Sequence, residues 1–528
     1  MRPIGPTMSL IVGLVAVALS TVHLTTRLSA VSDEPADLQV ATSSAPELVS
    51  GGIYRLDLSR GKATLPCPPA GSRWRMTLVS HRRCDAEDQV TLSKKQPATI
   101  SSKSGQTSRL GLWRTEFPQR LVKLAARENK PRELVRRTSS PSRLSPIDGL
   151  EVRRTGNLSP AARLEPIGPV NLPADVGAET PRPRSEPNGR AEFDLAVQDL
   201  PADDPRAYVT IRAASIAKAE GVTVYHDIRE PTGVTTDRLS QAILRAWRDH
   251  VTAAISPQFT RPVFREPIAI VLTPALGQLR GGTLTLDGML RPDDLRKDLP
   301  RPFSAGRPVI WLNSRLQPGD RLETVLAHEA MHLACAETRL EATGTVAQEL
   351  WLNEGLAHLG ERFANPGWSN LADRLRTWSR ATHAAPLRLD PEVSPARWRD
   401  PGCRAAAYLF TDWAARRHGP GFVEAVCTSP ASGMTAVSTL VDESEGALLE
   451  AWALACLLVD RPELLEPVGV PHLVELPTAL QPVRVATEGT YPVAGSAMLL
   501  VELDEAAEWH VTTSDALTAV VCAVPIRR

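Results

Sequence analysis

Residues 99–190 constrain this chain more than any other stretch. Between positions 100 and 190 there are eleven prolines, 17 Lys and Arg and 9 Asp and Glu, a local charge of 17 − 9 = +8. Apolar residues recur there without a period, apart from a short candidate helix around residues 119–127. A segment of this kind buries too little surface to offset the entropy of ordering it, so it reads as a long disordered, basic, Pro-rich linker. Its charge suits contact with an anionic cell-surface polymer or lipid, although a solvated spacer is the plainer reading.

The linker splits the 528 residues into unequal parts. Over the whole chain 60 basic residues balance 60 acidic ones, which argues against a protein that binds nucleic acid mainly through phosphate contacts. Residues 1–30 read as a signal peptide or amino-terminal anchor. Arg2 precedes an apolar run over residues 8–24, short for a membrane span of about 20 residues and suited to the core of an export signal. If uncut, that run would anchor the protein to a membrane. The expected location is therefore outside the cytoplasm: periplasmic, cell-surface or secreted. The seven cysteines fit export. Cys67 and Cys84 could staple a small strand-rich segment, whereas Cys335, Cys403, Cys427, Cys456 and Cys522 read mostly as packed thiols.

Trp74, Met76 and Leu78 alternate with polar residues, the period of a half-buried strand, so residues 31–98 are expected to form a small β-rich module. Short β-like runs at 483–486, 498–503 and 519–524 predict a second small β-rich module over residues 463–528. Between linker and tail, residues 191–462 carry strand signals at 208–211, 222–225, 268–272, 281–288 and 309–312. Leu239, Ile243, Ala246, Trp247 and Val251 then share one face of a helix. Strands followed by helices predict an α+β domain.

Within that domain lies His328-Glu329-Ala330-Met331-His332. Four residues apart on a helix, His328 and His332 project from one face and can reach a single ion, with Glu329 beside them. Twenty-one residues separate His332 from Glu354, which sits in Trp351-Leu352-Asn353-Glu354-Gly355-Leu356-Ala357. A carboxylate among such apolar neighbours costs several kcal/mol to bury unless a cation or donors satisfy it. Zinc in a catalytic site takes three protein ligands and leaves a position open, so two histidines and a glutamate are a fitting set.

HEAMH followed by WLNEGLA resembles the gluzincin metallopeptidases, in particular the bacterial peptidase MA-like family. The similarity runs from about Phe193 to about Leu458 and includes Glu220 to Asp227 (EGVTVYHD) and the Gly281-Gly282 turn. It implies a gluzincin-like catalytic domain with one Zn2+ ion on His328, His332 and Glu354. Glu329 is then the general base in the hydrolysis of a peptide or protein substrate. Many relatives add a tyrosine at the start of a later helix. Here Cys403 falls at that position, so Tyr408 is the candidate donor to the reacting carbonyl oxygen, with Arg404 or a histidine as alternatives. Some relatives hold a ligating imidazole with a carboxylate near the position of His358; Asn353, His358 and Glu361 are the candidates for that support. The strand at 309–312 is expected at the sheet edge, over the substrate cleft. The missing tyrosine and the terminal β modules also motivate another reading, a surface binding or scaffold protein with a metallopeptidase-like domain that has weak or no catalysis.

Overall fold

The computed structural model describes residues 49–94, 110–112 and 189–525, with short breaks inside the first and last of these ranges. The expected signal or anchor, the candidate helix at 119–127, Cys84 and residues 281–285 lie outside the described residues, as does nearly all of the linker. Among the described residues no helix is long and apolar enough to cross a membrane.

The first part of the chain supplies strands β1 (Ile53–Leu56), β2 (Lys62–Leu65), β3 (Ser72–Ser80), β4 (Glu87–Lys94) and β5 (Leu110–Leu112). The last part supplies β12 (Arg484–Ala486), β13 (Gly489–Ala494), β14 (Met498–Leu503), β15 (Trp509–Thr513) and β16 (Leu517–Pro525). These strands do not form two modules. They interleave in a six-stranded sheet, β12-β14-β3-β16-β1-β5, and a four-stranded one, β13-β4-β15-β2. β3 lies between β14 and β16, and β4 lies between β13 and β15, so strands from one end of the chain are paired by strands from the other. The expectation of a separate β module at each end is corrected accordingly. Either set alone would leave strand edges unpaired and an apolar face uncovered. β5 also corrects the linker boundary, because Leu110–Leu112 pairs antiparallel with β1.

Tyr54, Trp74, Met76, Leu499, Val501, Trp509 and Val521 fill the space between the two sheets. The opposite face of the six-stranded sheet presents Ile53, Val79, Met498, Leu500, Val520 and Cys522 to the main core. That alternation is the two-residue period read from the sequence around Trp74.

The central sheet contains β6 (Arg190–Ala196), β7 (Tyr208–Ala219), β8 (Val222–Asp227), β9 (Ile268–Thr273), β10 (Gly288–Leu290) and β11 (Val309–Asn313), in the order β10-β11-β9-β8-β7-β6. β8, β9 and β11 run parallel, and antiparallel pairings flank them on both sides. Ile268, Ile270, Leu272, Ile310 and Leu312 join the core shared with the helices. Ala269, Val271, Val309 and Trp311 pack on the other face with Phe193 and Ile211.

The strand expected over the cleft is an interior one. β11 is buried along its length between β9 and β10, and the outer strand is β10. β10 begins at Gly288, at the end of the run 281–288 read as a strand. A Cβ at Gly288 would stand 2.6 Å from Val325 Cγ1 and 2.9 Å from Glu329 Oε1. The absence of a side chain lets this edge lie directly on the helix that carries Glu329.

Among the described residues the helices of seven residues or more are α1 (Val234–Ala246), α2 (Asp320–Thr343), α3 (Leu350–Ala364), α4 (Leu371–Arg380), α5 (Pro401–His418), α6 (Phe422–Thr428), α7 (Gly433–Val441) and α8 (Glu445–Leu457). With the mixed sheet they make an α+β architecture. α8 is apolar on nearly every side and packs between the helices and the six-stranded sheet. Arg75 of β3 strengthens that junction by pairing with Asp460, just beyond α8, and with Glu502 of β14.

Two glycines set the approach of α3 to its neighbours. A Cβ at Gly360 would lie 2.6 Å from Met331 Cβ of α2, and one at Gly355 would lie 2.2 Å from Thr411 Oγ1 and 2.8 Å from the Ala407 carbonyl of α5. Gly355→Ala is expected to lower unfolding stability by about 1–3 kcal/mol through overpacking. A denaturant midpoint equal to that of the wild type would contradict this close fit.

Candidate metal centre

α2 starts after Gly319, with Asp320 and Glu323 in its first turn, where negative charge suits the helix dipole. Two to three turns later His328 and His332 emerge on one face, with their ring centroids 4.8 Å apart. Glu354 comes from α3, which the glycine contacts hold against α2. The ligand atoms of His328, His332 and Glu354 lie within 4.8 Å of one another, and His328 Nε2 is 3.5 Å from Glu354 Oε2. The structure therefore brings together the three residues that the sequence singled out. Glu329 is buried beside them at 6% exposure, under Gly288.

Each imidazole is held by its second nitrogen. His328 Nδ1 lies 2.8 Å from Glu361 Oε1, and His332 Nδ1 lies 3.1 Å from Asn353 Oδ1. In both contacts the oxygen accepts, which leaves each Nε2 for another partner. Asn353 thus sits where support for a ligand was expected. His358 does not touch either histidine of the trio through a hydrogen bond. Its Nδ1 is 2.7 Å from the same Glu361 Oε1, and its Nε2 meets Arg374 Nη1. The carboxylate that supports His328 is Glu361, seven residues after Glu354 and so two turns along one helix. That spacing was a usable signal for Glu361; Arg374 comes from α4 and had none.

Tyr408 is 2% exposed, and its ring packs edge-on against His358 at 6.3 Å. Arg404, one turn earlier on α5, reaches the trio instead, with Nη1 2.9 Å from Glu354 Oε2. The sequence fixes its place: Asp400 caps α5 by accepting from the backbone N–H groups of Gly402 and Cys403, and Pro401 opens the helix.

Burial and charge set the protonation of the cluster. Burial disfavours an ionised Glu354, but Arg404 and then the two histidines hold its carboxyl well below the usual range. Burial pushes Glu329 up to about 7, against the pull of His328. Burial also lowers His332 to about 4, helped by the charge of His328. For His328 burial is outweighed by Glu354 and Glu361, which raise it to about 9. Without an ion, then, His328 is the trio's one protonated member at neutral pH.

These residues fit a zinc ion. Glu354 Oε2 is buried, with His328 Nε2 3.5 Å away and Arg404 Nη1 2.9 Å away, so the carboxylate is ionised and faces the two histidines. A tetrahedral ion about 2.1 Å from each ligand separates the ligands by about 3.4 Å, close to the 3.5 Å between His328 Nε2 and Glu354 Oε2. A second cluster, His328, His358 and Glu361, has comparable spacing. It fits a cation less well: the Arg374 guanidinium meets the single lone pair of His358 Nε2, whereas Glu354 Oε2, which Arg404 meets, keeps a second one. A cavity of about 550 Å3 near the start of α2, lined by Asp287, Asn313, Arg315 and Arg321 among others, includes none of the trio.

No protein-family model matches the chain, and no curated protein sequence matches it.

Zinc uptake should be linked to pH. A ligating imidazole must be neutral, and the proton His328 gives up is the one on Nε2, since Glu361 holds the proton on Nδ1. Apparent zinc affinity is expected to rise about tenfold per pH unit between pH 7 and 9, with one proton released per ion. Calorimetry in buffers of different ionisation enthalpy measures that proton; a flat affinity across this range would contradict the assigned charge of His328.

Proposed function

We propose that the chain is a zinc-dependent peptidase of the gluzincin kind, holding one Zn2+ ion on His328, His332 and Glu354. The observation that carries the reading is the convergence of these three side chains, with Glu354 ionised although buried and Glu329 alongside. A bound zinc ion would supply Lewis acidity, polarising a carbonyl and lowering the pKa of water toward about 7.

The chain's own groups do the rest. Glu329, buried and lying against the backbone of β10, accepts the proton of the attacking water and passes it to the leaving amine. Arg404 holds positive charge beside Glu354 and is the candidate donor to the carbonyl oxygen that gains negative charge. It takes the role first considered for Tyr408. β10 has no strand partner on its outer side among the described residues, so an extended substrate backbone can add there, next to Glu329. In this reading residues 1–30 direct export or anchor the chain, and the basic segment lets the catalytic part work at an anionic surface.

Hydrolysis of an unstructured protein substrate by the zinc-loaded full chain, lost on chelation and restored by zinc, is the direct test. No hydrolysis of any peptide library by the loaded chain would remove the peptidase assignment. Arg404→Met is expected to lower kcat about 10²-fold, with Arg404→Lys less affected. An unchanged kcat in Arg404→Met would exclude Arg404 as the donor.

A further inference from the structure

Four residues after Glu354 on α3 stands His358, buried between Arg374 and Glu361. Arg374 Nη1 contacts His358 Nε2, His358 Nδ1 lies 2.7 Å from Glu361 Oε1, and the same oxygen lies 2.8 Å from His328 Nδ1. A guanidinium has donors and no acceptor, so His358 Nε2 must offer its lone pair. The proton of a neutral His358 is therefore on Nδ1, and it is donated to Glu361. Glu361 Oε1 accepts from both rings, which keeps a proton on His328 Nδ1 and turns His328 Nε2 toward Glu354.

We propose that Arg374 and His358 are positioning residues that act through Glu361 to fix the tautomer and orientation of His328 for the ion. The inference rests on the zinc reading above for its purpose, but the direction of its hydrogen bonds stands without the ion. The chain of contacts spans three elements: Arg374 is on α4, His358 and Glu361 on α3, and His328 on α2. His358 is fully buried, so no water competes for its nitrogens. With Arg374 removed, His358 can carry its proton on Nε2, the tautomer that free imidazoles favour. Glu361 would then lose the His358 donor and hold His328 less tightly.

The experiment uses the metal-free full chain labelled with 15N-histidine, with His358 assigned by the signal lost in His358→Phe. Two-bond 1H–15N correlations should show a neutral His358 protonated on Nδ1. Arg374→Met should move that proton and weaken zinc binding about tenfold, the lower end of what loss of an outer partner costs a metal site. Arg374→Lys still donates and should keep both the tautomer and most of the affinity. A wild-type His358 protonated on Nε2, or on both nitrogens, would overturn the proposal. So would wild-type zinc affinity in Arg374→Met. Should Arg374→Met fail to fold, the wild-type tautomer and Arg374→Lys decide the matter. A wild-type chain that takes up no zinc would defeat the peptidase reading, while the His358 tautomer would still decide the direction of these bonds.

Discussion

Glu329→Gln should bind one zinc ion per chain with close to wild-type affinity and lose hydrolysis by about 10³-fold or more in kcat. Glutamine keeps the shape of glutamate and its fit under Gly288, where the carboxyl now lies. It cannot accept the proton of a water or return it to an amine, and positioned proton transfer is worth about 10²–10⁴ in rate. Glu329 is not one of the converging ligands, so zinc content should hardly change. Zinc content and turnover measured on the same preparation separate the two roles. If both proteins hold zinc and show the same negligible activity, the binding or scaffold reading is favoured. Zinc content lost in the variant would instead place Glu329 among the ligands.

The second large effect concerns Glu354. Glu354→Ala removes the third ligand and leaves Arg404 without the carboxylate it faces 2.9 Å away. Zinc affinity should fall by more than the roughly 10–100-fold that follows loss of an outer partner, and with it activity at any practical zinc concentration. Glu354→Gln should be nearly as damaging, because a neutral amide balances neither the ion nor Arg404. Titration with a competing chelator reads the affinity directly. A loss no greater than tenfold in Glu354→Ala would mean that another group holds the ion.

Much of the site was legible before the structure. His328, His332 and Glu329 follow from helical spacing, and Glu354 from a charge set among Trp351, Leu352, Leu356 and Ala357. Those are local patterns, and local patterns survive folding. What surrounds them was harder to read. Asn353 and Glu361 could be named from α3 itself, but which histidine each holds depends on how α3 meets α2, through Gly360. Arg374 arrives from α4 and carries no periodic signal. Tyr408 was a candidate although Cys403 takes the expected position; on α5 it is buried with its ring against His358, while Arg404 faces Glu354.

The fold shows the same division. The strand around Trp74 and the tail strands were legible as strands, because alternation is local. Their partnership was not, because β3 joins β14 and β16 across more than four hundred residues of chain. The strands before the basic stretch therefore belong to two sheets that are completed by strands from residues 484–525. β10 was legible only through the run 281–288, which meets it at Gly288. Three residues are too few to show a period, and its edge position follows from Gly288 fitting onto α2.

Metal content together with zinc-edge X-ray absorption on the purified full chain tests the central claim most directly. The expected result is one zinc per chain, bound by two imidazole nitrogens and carboxylate or water oxygens at about 2.0–2.2 Å. The imidazole contribution should fall from two rings to one when either His328 or His332 is replaced. A chain that takes up no stoichiometric zinc, or an ion coordinated by sulfur at about 2.3 Å, would contradict it.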